Sequence, residues 1–386
     1  MSKSHFSVFH KEHIFITAIA AVIVSLMGAG YIITISHFNP VERAFGNFHM
    51  TDMFTEVENS GTPQDTSEMI TIVDMSKVYS RARLAEIVNT IDSLKPAIMG
   101  VDIVFDGLRE DLCGTCGNEI LTQTVYSTSS PIIWAYELID WNREKQQYDH
   151  TLHSFFRDPN VPLEEAYINV QRDETGGTIR SINIKRQTEE GTEYSMPARL
   201  AAGYTGDSTV LKEYKDCRIR YTATHFPIVP CDSIAEYAHL IKDNIVLLGA
   251  AKDRRDMHYT PLGHIPGVRI IALAAQTIIN KDIPNEFPLW ATILLSLFLV
   301  WLCVILASAI NTFKSKSRIT FVRRLGQYEV NDFIFFAYIV FLVWFDYLLF
   351  VKTNYFFNVT WVILSILLLD TASAIYNAIT NPSHYK

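Results

Sequence analysis

Four apolar stretches, each long enough to cross a bilayer, surround one polar segment, residues 36–288. No other feature constrains this chain so strongly. Residues 14–35 and 289–310 carry no charge, while 331–351 and 355–379 hold the acids Asp346 and Asp370 in their apolar interiors. At about 1.5 Å rise per residue, a helix over 14–35 covers roughly 33 Å, enough for the hydrocarbon core. A cleaved signal peptide would have a much shorter apolar centre, and Gly28-Ala29-Gly30 is a poor cleavage site, so 14–35 reads as a retained anchor. Only 380–386 follow the last stretch, so no catalytic module is expected on that side.

Basic residues orient the spans. The loop at 311–330 holds Lys314, Lys316, Arg318, Arg323 and Arg324, and short loops rich in Lys and Arg stay cytoplasmic. Lys3 and Lys11 put the 1–13 tail on the same side, and four crossings return the 380–386 tail there. The large segment then lies outside. Residues 37–286 carry 24 basic and 36 acidic side chains, a net of −12 within the chain's −8. That acidity argues against nucleic acid as a partner. The expected location is a bacterial inner membrane, with the large domain in the periplasm and both termini cytoplasmic.

The outer segment opens with polar residues, 37–68, read as a linker. Residues 69–74 follow as a buried strand, and 81–94 as a helix with a stripe of Leu84, Ile87, Val88 and Ile91. Residues 97–105 form a second strand, completing a parallel βαβ unit. Helices are expected at 119–126, 196–203 and 267–280, and strands at 131–136, 167–170, 179–184, 217–221 and 244–249. The fold class is therefore a membrane protein with an α/β extracytoplasmic domain. A mixed sheet with flanking helices is inserted between the first span and three more.

Five cysteines suit an oxidising compartment. Cys303 lies mid-span, and the four in the outer segment suggest two disulfides, Cys113 with Cys116 and Cys217 with Cys231. A redox role for Cys113-Gly-Thr-Cys116 and a four-cysteine zinc site are the rivals. A Gly-rich, acid-flanked stretch suits a reactive thiolate poorly, and zinc ribbons need a second CxxC.

Several segments together resemble the type-two CHASE domain, an extracellular sensory domain attached to cyclases and histidine kinases. Ile72-Val-Asp74 with Arg81 and Leu84-Ala85 is similar to the family's opening strand and helix. Gly100-Val-Asp102-Ile-Val-Phe105 is similar to its second strand. Residues 244–249, then Asp256, Thr260-Pro261-Leu262-Gly263 and Pro266-Gly267-Val268, resemble its late strand and last helix. Pro288-Leu289-Trp290 opens the following span, and the three closing spans also resemble the family's arrangement. The resemblance covers about residues 40–310. It implies sensing of a ligand or of stress outside the membrane, without catalysis. The family usually has a histidine near the start of the last helix. Ile271-Ala272 stand there in this chain, so that role is either absent or taken over by His258 or His264.

Asp74, Asp102, Asp106 and Arg81 are candidates for a polar pocket, because α/β sheets bind ligands at the carboxyl ends of their strands. The bland alternative pairs Arg81 with one aspartate to fix helix against sheet. Asp256 and His258, with Asp253, form a second cluster. Asp346 and Asp370 are costly inside spans. They either bond neighbouring hydroxyls or serve in signalling or ion handling. Ala21, Ser25 and Ala29 form a small-residue face suited to close packing against a span or a second copy of the chain.

No Ser-centred elbow, phosphate-binding glycine loop or HExxH occurs, so neither an enzyme, a cofactor nor a metal is expected. The expected function is a sensor of a small molecule or an envelope state that signals to a separate cytoplasmic effector. The basic loop would touch that effector or lipid headgroups, and a homodimer is left open. The rivals are a structural or docking protein of the envelope, a CxxC thiol oxidoreductase and, least of all, a transporter.

Overall fold

The computed structural model describes residues 11–35, 49–60, 65–110, 114–170, 177–316 and 330–380. The chain divides into two units, Thr51–Pro284 and the pair Met1–Met50 with Asn285–Lys386. Its elements begin with α1 (Lys11–Ile35), α2 (Met50–Asn59), β1 (Ile70–Asp74), α3 (Arg81–Ser93), β2 (Ile98–Val104) and α4 (Cys116–Ser127). Strands β3 (Ile132–Asn142), β4 (Gln147–Leu152), β5 (Glu165–Tyr167), β6 (Ser181–Asn183), β7 (Lys185–Thr188) and β8 (Gly191–Tyr194) follow. After them come α5 (Met196–Thr205), α6 (Thr209–Glu213), β9 (Asp216–Arg218), β10 (Ile228–Pro230), α7 (Ala238–Ile241) and β11 (Ile245–Gly249). The hairpin β12 (Met257–Thr260) and β13 (Gly263–Pro266) leads into α8 (Gly267–Ile279). The closing elements are β14 (Asn285–Glu286), α9 (Leu289–Lys316), α10 (Val330–Thr353), β15 (Tyr355–Phe356), α11 (Thr360–Leu367) and α12 (Leu369–Thr380).

In the unit Thr51–Pro284 the main sheet runs β10-β1-β11-β2-β3-β4-β7-β8, with β5 beside β3. Strands β10, β1, β11, β2 and β3 are parallel, and β3–β4 and β7–β8 are antiparallel. The sheet is therefore mixed, as the alternation of strand and helix predicts. Ile70, Ile72, Ile98 and Leu247 point to one face, where α5 and α8 cover them. Val73, Met99, Val101, Val246 and Leu248 point to the other, under α3 and α4. Burial on both faces is why β11 is apolar throughout rather than alternating.

Three features of this unit depart from the sequence expectation. Helix α2 lies inside the stretch read as linker. It is marked by Met50, Met53, Phe54 and Val57 at helical spacing, but polar neighbours hide that stripe. The strands β4, β7 and β8 are only partly buried, so no apolar alternation betrays them. Strand β10 is three residues long, paired with β1 and anchored by the buried Val229.

Among its described residues the other unit contains three helices long and apolar enough to cross a membrane, Lys11–Gly28 within α1, Leu289–Phe313 and Phe333–Thr353. It contains four if α11 and α12, bent by 51° at their junction, form one span. Ala20, Cys303, Leu342, Phe357, Val362 and Ile366 meet in its core. The fourth stretch does not start as a helix at 355. Tyr355 and Phe356 instead pair as β15 with β14, and Asp346, fully buried, accepts a hydrogen bond from the Phe357 N–H at 3.1 Å. The basic residues Lys3, Arg318, Arg323 and Arg324 lie outside the described residues.

Candidate functional site

The carboxyl ends of β1, β11 and β2 lie side by side. Asp74 is in register with Gly249, and Val101 with Leu248, so Asp102 follows beside Gly249. Asp74 and Asp102 flank that glycine on the face covered by α8, about 10 Å apart across two strand spacings. Two different environments result.

Asp74 is a staple. Its Oδ1 accepts from the N–H of Ser76 at 3.1 Å and from the N–H of Ala251 at 3.2 Å, tying the turn after β1 to the turn after β11. Lys252 stands 3.8 Å away.

Asp102 lies within electrostatic range of a pair. The segment after β11 brings round Asp256 and His258, whose Nε2 lies 3.2 Å from Asp256 Oδ1. Asp256 Oδ2 accepts from the N–H of Gly267, the first residue of α8, at 3.2 Å. An acid is favoured at that end of a helix. Two glycines permit this geometry. A Cβ on Gly249 would come within 2.7 Å of Val268 Cγ2, and one on Gly267 within 2.9 Å of Asp256 Oδ2. Asp102 keeps some surface exposure although protein surrounds its carboxyl; that surrounding pushes the carboxyl up to about 7, the neighbouring charge of Asp256 adds to the rise and His258 opposes it. The nearness of Asp102 to the charges of Asp256 and His258 relates two segments that lie 154 positions apart in the sequence, counted from Asp102 to Asp256. Gly249 and Gly267 become legible only as the places where α8 and Asp256 approach the backbone.

The other candidates lie elsewhere. Arg81, buried at the start of α3, donates to the side-chain oxygen of Asn118 and, at 2.9 Å, to the Gly107 carbonyl. Its guanidinium stacks 4.2 Å from the Phe155 ring centre. It fixes α3 against α4 and the loop after β2, away from Asp102. Asp106 is exposed on that loop. His264 packs edge-on against Tyr259 in the hairpin, which leaves His258 as the histidine at the head of α8. Asp253 caps the turn at Arg255.

Cys217 and Cys231 are free, which corrects the expected disulfide between them. Cys217 is buried with the side chains under α5 and α8, whereas Cys231 packs on the opposite face of the sheet. Cys116 opens α4, and Cys113 lies outside the described residues. Asp370 sits in the first turn of α12 and lines a cavity of about 370 Å³ with Glu12, His13 and Asn311.

Two features carried no signal in the sequence. Arg180 and Arg220, both buried, clasp α2 through Asp52 at 2.9 Å and Glu58 at 2.7 Å. The Arg220 N–H also donates to Thr277 Oγ1 of α8 at 3.0 Å, so one residue joins α2 to α8. A cavity of about 300 Å³ opens at the far end of α8, lined by Asp207, Glu213, Tyr214 and Lys281. Among the described residues no group of three or more His, Cys, Asp or Glu is arranged to hold a metal.

A family model described as the CHASE2 domain matches residues 22–310. The chain belongs to the CHASE2 family. The match takes in part of α1, the whole α/β unit and most of α9, so the Asp102 cluster and the α2 clasp both lie within the CHASE2 region. CHASE2 is a sensory extracellular domain, and no effector domain accompanies it among the matches. No curated protein and no solved structure matches the chain.

Proposed function

We propose that this chain is a multi-pass inner-membrane sensor whose periplasmic CHASE2 domain reports the acidity of the envelope to a separate cytoplasmic effector. The carrying observation is that the end of β2 lies beside the segment after β11, so that Asp102 feels the charges of Asp256 and His258 at the head of α8. Asp256 there holds the first N–H of a helix and faces His258, and Asp102 lies within range of their charge. A proton on Asp102 relieves its repulsion with Asp256, freeing that carboxylate to stay on Gly267 and His258. A lost proton sets two negative charges against each other at the same cap. In the chain, α8 is followed by α9, and the segment after α1 is followed by α2. Arg220 binds α2 and α8 together, so a shift of α8 also reaches the other connection to the membrane. Sensing of this kind needs only a difference in proton affinity between two arrangements of the domain. The CHASE2 assignment supports the sensory role and a chain without catalysis of its own. Of the disulfides, the reading keeps only the pair Cys113–Cys116.

The cavity at the other end of α8 supports a second reading, in which a small organic ligand is the input. Hydrogen exchange of α8, measured on the whole protein in lipid nanodiscs between pH 5 and pH 8, separates the two. The proton reading expects the amides at the start of α8 to exchange faster as pH rises, after correction for intrinsic rates. Asp102→Asn should flatten the response. A response identical in the variant, or none in the wild type, defeats the proton reading and leaves the ligand reading standing.

A further inference from the structure

The membrane unit contains a groove of about 770 Å³ between α1, α9 and α11. It is lined along α1 from Thr17 to Gly28 and along α9 from Leu289 to Val300. Eleven residues of helix rise about 16 Å, roughly the depth of one leaflet of the hydrocarbon core. A membrane-crossing helix of a second copy needs twice that length, so the groove fits a chain that enters from one side and stops midway.

The walls define the occupant further. Five hydroxyls face this region, and each donates to a carbonyl of its own chain segment. Thr17 bonds His13, Ser25 bonds Ala21, and Ser365 bonds Trp361, all at 2.8 Å. Ser296 bonds Thr292 at 2.6 Å, and Thr292 bonds Phe287 at 3.2 Å. With those donors spent, the groove has little to offer a polar ligand along its length. Ile293 and Leu297, both exposed, form part of its lining and leave it open sideways. Its polar groups collect at one end, where Glu286 and Asn358 stand, and no basic residue among the described residues lines it. Glu286 is exposed, three residues before α9 begins.

We infer that this groove is a lipid site, taking one acyl chain of an aminophospholipid with the lipid's ammonium group at Glu286. An acid at the mouth repels an anionic headgroup such as phosphatidylglycerol and attracts an amine. The apolar walls select for a chain rather than for a polar metabolite.

The test uses the full-length protein, purified in mild detergent, and mass spectrometry of the lipid it retains. The wild type should retain phosphatidylethanolamine enriched over its share of the source membrane. Ser296→Trp fills the groove and should abolish retention, while Leu294→Trp, on an exposed position outside it, should leave retention intact. Glu286→Gln should still retain lipid but lose the preference for phosphatidylethanolamine over phosphatidylglycerol. Should Ser296→Trp fail to fold, a phosphatidylethanolamine with a photoreactive acyl chain provides the same test on the wild type. Labelling should fall on peptides spanning 17–28 and 289–300. Retained lipid in bulk proportions, equal retention by Ser296→Trp, labelling elsewhere, or a cross-linked dimer through Ser296→Cys would each overturn the site.

Discussion

The CHASE2 domain handles charge in two opposite ways. At α2, buried Arg180 and Arg220 each meet a carboxylate of opposite sign, Asp52 and Glu58. At the head of α8, Asp102 lies within range of a charge of like sign, Asp256, and of His258, which opposes it. The first arrangement holds a helix in place. The second changes with a single proton. Opposite-charge pairing serves the frame, and like charge at a strand end and a helix cap serves the proposed response. Buried pairs are strongly felt when one partner is removed, whereas perturbed acids in a functional cluster are felt through pH.

The largest effect should come from breaking the frame. Asp52→Ala leaves Arg180, about 4% exposed, without its forked carboxylate. A cost of about 3 kcal/mol is expected, or roughly 6–12 °C in melting temperature for a domain of this size. Thermal unfolding followed by circular dichroism reads it. A loss within that of a surface pair would erase the contrast between the two regions.

A smaller effect, of opposite sign, is expected at Asp102. Its folded pKa of about 7 lies above the ordinary 3.8, so the folded state holds the proton longer than the unfolded state. Stability is then highest in acid and falls as pH rises from about 4 to about 7. Asp102→Asn should remove that slope and stabilise the protein at pH 8 by about 2 kcal/mol, at 1.36 kcal/mol per unit and discounted for partial exposure. Denaturant midpoints at pH 5 and pH 8 measure it. A variant less stable than the wild type at pH 8 would show that Asp102 acts as a paired charge, like Asp52.

The smallest effect marks the baseline. Asp232 pairs with Arg83 at 2.8 Å, but both side chains are largely exposed. Asp232→Ala should change stability by no more than about 0.5 kcal/mol. A larger loss would mean that burial is not what separates frame from surface.

Much of the frame was legible in the sequence because apolar runs carry period and length. The β1–α3–β2 unit, β11 and α8 announce themselves by stripes of Ile, Leu and Val. The α2 clasp was not legible. Its ion pairs join residues 128 and 162 positions apart, and no local pattern encodes such a meeting. The candidate site was half legible. Asp102, Asp256 and His258 each stood out, but only the sheet order β1-β11-β2 brings the end of β2 beside the segment after β11. Arg81 looked like a partner for those acids because it opens the helix after Asp74. Its side chain instead turns to Asn118 and the loop after β2. The cysteine count misled because Cys217 and Cys231, 13 residues apart in between, are set on opposite faces of one sheet. The bend at Leu368 escaped notice because an apolar run reads alike whether or not the helix breaks.

The account rests on Asp102 exchanging its proton near neutrality. Infrared difference spectroscopy of the full-length protein, titrated from pH 5 to pH 8, observes the carbonyl band of a protonated carboxyl directly. The account predicts that the wild type loses such a band with a midpoint near 7 and that Asp102→Asn lacks it. A titration complete below about pH 5, in the ordinary carboxylate range, would contradict the account.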